Sequence, residues 1–202
     1  MFSFLFVIVH YFFMKLQRKF FSRRTDLVAE DLLGCILVRK IGNKKLSGKI
    51  VETEAYFGED DPASHAFRGI TPRNKLMFGK PGFAYVYFIY GNHYCLNFTT
   101  EIEGKAGAVL IRALEPLEGI DMMMKNRGVE EARKLTNGPG KLTQALQITK
   151  EQNGLDLTGN ILYVLSGERP LETVKKTRIG IKNGKDMKLR FYIKGNVFVS
   201  KN

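Results

Sequence analysis

Apolar and polar positions alternate over short stretches along most of this chain, which predicts strands joined by turns more often than helices. Cys35 to Arg39 and Leu46 to Ala55 read as two strands around a Gly42-Asn43 turn. Phe83 to Tyr90 and His93 to Thr100 read as a second pair, joined by Gly91-Asn92, a dipeptide suited to a two-residue hairpin turn. Ala108 to Leu114 is a further strand, and two or three more finish the chain, among them Arg190 to Ile193 and Val197 to Val199. Helical spacing is confined to Thr25–Leu33, Glu118–Asn126, Glu130–Leu135 and Lys141–Ile148. In the first of these Thr25 is placed to cap, Asp26 suits the first turn, and Gly34 ends it. Between the strand pairs, Gly58 to Lys80 is long and polar, as functional loops often are. The prediction is one α+β domain: a largely antiparallel sheet, flanking helices and a protruding β-hairpin.

The first residues break this pattern. Phe2 to Phe13 is almost wholly apolar and is followed by Lys15, Arg18, Lys19, Arg23 and Arg24. The run is too short to cross a bilayer as a helix and lacks the basic start and small-residue cleavage site of a signal peptide. The reading adopted is that residues 1–13 are an extension ahead of a natural start at Met14, and that residues 14–202 form the domain. An interfacial anchor is the alternative. No stable membrane association is expected.

Composition narrows the class. Lys and Arg number 32 against 20 Asp and Glu, a net charge of +12, which points to a polyanionic partner, nucleic acid before membrane. The 202 residues suit one core. Cys35 and Cys95 lie in apolar strand-like runs and read as buried free thiols in a reducing compartment. Three scattered histidines and no paired cysteines give no metal site, and no glycine-rich phosphate motif implies a nucleotide, so no cofactor is expected.

Two segments carry candidate chemistry. In Val51-Glu52-Thr53-Glu54-Ala55-Tyr56 an extended backbone puts Glu52 and Glu54 on one face and Val51, Thr53 and Ala55 on the other. Paired acids are commonly a solvated edge. Here, however, the strand runs into Tyr56 and a loop carrying His65, and the Ala108–Leu114 strand buries a lone cation, Arg112, between apolar neighbours. A buried Arg requires an acid, so Glu54 or Glu52 is inferred to pair with it. Pairing favours the ionised carboxylate that a general base needs. The hairpin holds Tyr85, Tyr87, Tyr90 and Tyr94; most such rings are core, but Tyr90 directly precedes the turn, where a ring can act as a wedge between base pairs. Gly138-Pro139-Gly140-Lys141 ahead of a helix could meet a phosphate, and Arg68, Arg73, Lys75 and Lys80 could follow a nucleic-acid backbone or simply be solvated.

These residues, with Ser64-His65, Thr71-Pro72-Arg73-Asn74, Met77-Phe78, Lys80-Pro81-Gly82, Arg112 to Gly119 and Gly138 to Leu142, occur in an order that closely resembles the alkyladenine, or 3-methyladenine, DNA glycosylase family. The resemblance runs from about Leu16 to near the C-terminus. It implies a curved antiparallel sheet and base excision repair of alkylated and deaminated purines in double-stranded DNA. Excision would be by a monomeric, monofunctional enzyme, nucleoid-associated in a bacterial cytoplasm or nuclear in a eukaryote. Carried over by residue, it implies Glu54 as the base that activates water and Arg112 as a holder of that water. Tyr56 and Tyr87 would sandwich the flipped base beside His65. Tyr90 would intercalate, and Asn97 would be the pocket amide that disfavours guanine. Arg73, Met77 and Lys141 would contact the DNA backbone. Asn92 and His93 depart from the Met and Tyr of the family pattern, making the wedge tip more polar. A catalytically silent nucleic-acid binder and an enzyme of small nucleosides are the competing classes.

Overall fold

The computed structural model describes residues 13–89 and 91–200. Eight strands form one curled antiparallel sheet. They are β1 (Ile36–Ile41), β2 (Lys44–Phe57), β3 (Ala84–Ile89), β4 (His93–Thr99), β5 (Gly107–Glu118), β6 (Leu162–Leu165), β7 (Thr173–Lys176) and β8 (Arg190–Ile193). The main path runs β3-β4-β5-β2-β1-β6, while β8 pairs with the distal half of β2 and with β7. Helices α1 (Arg18–Phe21), α2 (Thr25–Asp31), α3 (Ile120–Arg127) and α4 (Pro139–Ala145) flank it. No helix of the described residues is long and apolar enough to cross a membrane.

The period of two sorts the central strands onto two faces. Val86, Leu96, Phe98, Val109, Ile111 and Ala55 enter the main core with α2, where the Thr53 hydroxyl donates to the Ala29 carbonyl (2.7 Å). The opposite face carries Glu52, Glu54, Tyr56, Tyr85, Tyr87, Cys95, Asn97, Leu110 and Arg112. Glu54, Leu110, Asn97 and Tyr85 stand in one cross-strand row, since Glu54 pairs with Leu110, Leu110 with Asn97, and Asn97 with Tyr85. Three register shifts interrupt the pairing of β2 with β5, one at Leu117 and two beside the paired acids. Val51 is the extra residue on β2 between the Ile50–Leu114 and Glu52–Ala113 pairs, and Arg112 is the extra residue on β5 between Ala113 and Ile111. Such insertions bend the strand and re-aim a side chain, here the Arg112 guanidinium.

The sheet agrees with the sequence reading over β1 to β5 and at Arg190–Ile193. Several local expectations are corrected. Thr25 does not cap α2: Arg24 holds the cap position, and the buried Glu101 carboxylate accepts both the Thr25 N–H (2.8 Å) and its hydroxyl (2.8 Å). A distant acid thus supplies what a local cap would. Glu118 closes β5 rather than opening a helix, and the left-handed Gly119 (φ 76°) turns the chain into α3. Glu130–Leu135 holds only a 3-10 turn at Ala132–Lys134, and α4 starts at Pro139, whose fixed φ suits a first helical position. Val197–Val199 is not a strand but part of a turn that delivers Ser200 to the interior. Leu162–Leu165 and Thr173–Lys176 are four-residue strands too short to register as alternation.

Phe98 is fully buried against Phe21, ring edge to face at 6.1 Å, and marks the seam between the sheet and the helices. Phe98→Ala is expected to cost about 3–5 kcal/mol of unfolding free energy in urea titrations. A loss below about 1 kcal/mol would mean that this seam can collapse around the gap.

Candidate active site

Glu52 and Glu54 are both fully buried, which a carboxylate tolerates only with a full set of donors. Glu52 has one. Its Oε1 accepts from Arg112 Nε (3.1 Å), Arg190 Nε (2.6 Å) and the Ser200 hydroxyl (2.9 Å), and its Oε2 from the Ser200 N–H (2.7 Å). Glu54 is served differently. Its Oε1 accepts the Ile179 N–H (2.8 Å), and its Oε2 meets the Tyr56 hydroxyl (2.8 Å) and Arg112 Nη1 (3.2 Å). The sequence left either acid as the partner of Arg112; the bulged guanidinium bridges both. Glu52 is thereby committed to structure, whereas all three groups that hold Glu54 also line a cavity.

That cavity encloses about 470 Å³, within the range of small-ligand pockets. Tyr56, Tyr85, Tyr87, His65, Asn97 and Arg112 form its sheet side, and Ile179 to Asn183 its loop side. His65 meets Tyr87 edge to face at 4.6 Å, and its Nδ1 lies 3.0 Å from the Tyr85 hydroxyl. Arg73 donates to the Phe88 carbonyl (3.4 Å) and stands 5.6 Å from the centroid of the Tyr87 ring. Asn97 donates its amide to the Tyr85 carbonyl (3.1 Å), so its side chain is locked across the floor.

Titration at the site follows burial. Burial pushes the Glu54 carboxyl above its ordinary value, and Arg112, the Ile179 N–H and the Tyr56 hydroxyl pull it back down. Burial and the Arg73 charge push the His65 imidazole below its ordinary value, so it is neutral near pH 7. Tyr56 and Tyr87 are pushed upward, chiefly by burial, and remain phenols. Burial also raises the Cys95 thiol to about 11, so the pocket cysteine is a protonated, apolar wall. For Glu54 the sign matters. A raised value means that its contribution to stability is full at low pH and is lost as pH rises through the folded value. The anion that a general base requires is held against the preference of the fold.

The structure brings Glu54, Arg112, Tyr56, His65, Tyr87 and Asn97 together around one cavity. It does not bring all the expected backbone contacts to the surface. Arg73 is exposed near the pocket, and Lys141 is exposed at the start of α4, bonded to Asn137 (2.9 Å). The Met77 side chain is only 2% exposed, packed with Ala66, Tyr85 and Ala108, and its N–H is bonded to the Asn74 carbonyl. Both groups are thus engaged within the fold. Gly140 allows α4 to lie against His93, since a Cβ there would stand 2.9 Å from the imidazole. Tyr90 lies outside the described residues. Among the described residues no cluster of His, Cys, Asp or Glu could hold a metal ion. Sequence reasoning missed Ile179, Arg178, Arg190 and Ser200, which meet the two glutamates and Tyr56 from far along the chain, and Asp61, which pairs with Arg178.

Arg112→Met would leave Glu54 without a cation and Glu52 with one fewer; it is expected to destabilise the fold by about 3–5 kcal/mol in urea titrations. Lys45→Met, which breaks an exposed pair with Glu118 (2.8 Å), should cost no more than about 1 kcal/mol. Equal losses in the two variants would refute the assignment of Arg112 as the counter-ion of buried acids.

Comparison with known proteins places this geometry in a family. A family model described as methylpurine-DNA glycosylase matches residues 19–197. Among curated relatives, a protein of Carboxydothermus hydrogenoformans is 56% identical over 191 residues, covering 93% of this chain and 100% of the relative. One of Methanoculleus marisnigri is 49% identical over 193 residues, with the same coverage of each chain. One of Clostridium acetobutylicum is 46% identical over 200 residues, covering 93% and 98%. All three are named provisionally as 3-methyladenine DNA glycosylases.

Proposed function

The chain belongs to the methylpurine-DNA glycosylase family, and from that premise we propose how its site works: Glu54 activates the water that cuts a damaged purine from its sugar. It is a DNA repair glycosylase, a hydrolase acting on N-glycosyl bonds, and DNA is its partner. The substrates assigned to it are alkylated purines such as 3-methyladenine and deaminated ones such as hypoxanthine, within duplex DNA. The protein acts as a monomer in the compartment that holds the genome.

The observation that carries the mechanism is the buried Glu54 carboxylate, held by the Tyr56 hydroxyl, Arg112 and the Ile179 N–H directly behind an aromatic pocket. A base inside a duplex is out of reach, so the damaged nucleotide is extruded into that pocket. Tyr90, which directly precedes Gly91-Asn92 in the sequence, is assigned the space it leaves. Unstacking costs a few kcal/mol per step, and stacking on Tyr56, Tyr87 and His65 returns on the order of 1–3 kcal/mol. The balance is near even, which favours bases already poorly stacked or paired.

As the glycosidic bond lengthens, positive charge develops on the sugar and the bonding pair leaves with the purine. The Glu54 anion stabilises that charge and takes a proton from the attacking water, which Arg112 holds; related carboxylate chemistry serves glycosidases. A purine alkylated at N3 or N7 is already cationic and leaves readily. The water oxygen ends on the sugar as an abasic site, with no lysine or terminal amine required as nucleophile. The Asn97 amide is assigned the role of disfavouring guanine through its 2-amino group. Arg73 and Lys141 track the phosphates, joined by other members of the +12 charge.

The direct test is excision of hypoxanthine from a duplex oligonucleotide and of 3-methyladenine from methylated DNA, with Glu54→Gln alongside. The parent should release base and leave an alkali-labile site, and the variant should bind DNA but lose at least about 100-fold in single-turnover rate. A variant as fast as the parent would remove Glu54 from the mechanism. Strand cleavage without alkali, or a borohydride-trapped adduct, would refute the water mechanism.

Two further outcomes are expected. Excision should fall as pH is lowered, with its midpoint above the ordinary glutamate value of about 4.3, because burial raises the Glu54 carboxyl and only its anion works. A pH-independent rate across that range would contradict the assignment. Asn97→Ala should release more guanine-derived bases relative to adenine-derived ones, and unchanged selectivity would dismiss the amide as a gate.

A further inference from the structure

Asp61 and Arg178 are fully buried, 117 positions apart, and have no part in the chemistry just described. Arg178 Nη1 and Nη2 donate to the Asp61 Oδ2 (2.5 Å) and Oδ1 (2.7 Å), a two-pronged pair of the kind only arginine makes. Nη1 also donates to the Ala55 carbonyl (2.9 Å). The guanidinium plane lies over the Tyr56 ring, 4.6 Å from its centroid. The residue that follows, Ile179, places its N–H on Glu54. Asp61 in turn accepts the N–H groups of Phe57 (3.1 Å) and Ala63 (3.1 Å), which pins the start of the loop carrying His65.

A buried ion pair is a poor source of stability compared with apolar residues of the same volume. What this one supplies is position. It joins the end of β2 to two loops far apart in sequence, and two of its contacts, the Tyr56 ring and the Ala63 N–H, belong to walls of the pocket, while Ile179, the neighbour of Arg178, reaches Glu54. We propose that the Asp61–Arg178 pair is the positioning device of the site, holding the Tyr56 ring as a base platform and presenting the Ile179 N–H to the Glu54 carboxylate. The proposal rests on the reading of Glu54 as the general base.

Arg178→Lys keeps a cation for Asp61 but loses the flat, two-pronged geometry. In the full chain it should fold and bind hypoxanthine-containing duplex within about threefold of the parent, while the single-turnover rate falls about 10–100-fold, the scale of small misplacements at a reacting centre. The acid limb of its pH profile should move to higher pH, because the Glu54 anion has lost a donor. A merely structural residue would lower the amount of folded enzyme without moving that limb. Native-state hydrogen exchange reads the same contact independently of excision: the Ile179 amide should exchange at least about tenfold faster than in the parent. Asp61→Asn combined with Arg178→Met leaves no unpaired buried charge and serves if the single variant does not fold; the same losses are expected. Either folded variant with the parent rate, the parent pH profile and an equally protected Ile179 amide would overturn the proposal. Failure of the parent itself to excise any damaged purine would sink the glycosylase mechanism instead, and the Ile179 exchange comparison would still decide for or against the positioning device.

Discussion

The structure turns on the cost of hiding charge. Two carboxylates and two guanidiniums, Glu52, Glu54, Arg112 and Arg190, are buried on one face of the sheet, where an unpaired ion would be untenable. Pairing them demands that β5 lie along one side of β2, that β8 lie along the other, and that the C-terminal turn bring Ser200 inward. Bulges in β2 and β5 complete the arrangement by aiming a single guanidinium at both acids. Much of the topology around the site can therefore be understood as the set of connections that keeps four charges satisfied out of water.

The two acids, two residues apart, meet different fates under this constraint. Glu52 is saturated by donors from three elements. Glu54 is held by groups that are themselves pocket walls, so anything that enters the pocket meets the shell of Glu54 first. Two positions on one face of a single strand are thus told apart by their partners, without a second motif. The neutral His65 and the unionised Tyr56 and Tyr87 leave Arg112, with Glu54 behind it, as the charged groups on the strands that wall the pocket.

The parts legible in the sequence were those whose signal is local or rests on an unmet physical demand. Strands β1 to β5 announced themselves by alternation, the hairpin by Gly91-Asn92, and the Arg112 pairing by a lone cation among apolar neighbours. The parts that escaped depend on partners far away. Glu101 serves Thr25 across 76 positions, and Ser200 reaches Glu52 across 148. Nothing near Arg178 or Asp61 distinguishes either from a surface charge. Strands β6 and β7 are four residues each, too brief for a period of two to be read, and the partners that bury Met77 lie on other segments. Family resemblance supplied roles for several residues, but the ion-pair geometry came from the fold.

The two sides of the pocket differ in kind. On one, Glu54 and Tyr56 are neighbours on a single strand, so the pleat of the backbone is a ruler between them that no side-chain substitution can lengthen. On the other, residues Ile179 to Asn183 form a connection without regular structure, whose side chains include Lys182 and Asn183. Because the Ile179 N–H of that connection also rests on Glu54, a change there is felt twice, as a new wall of the pocket and at the carboxylate itself.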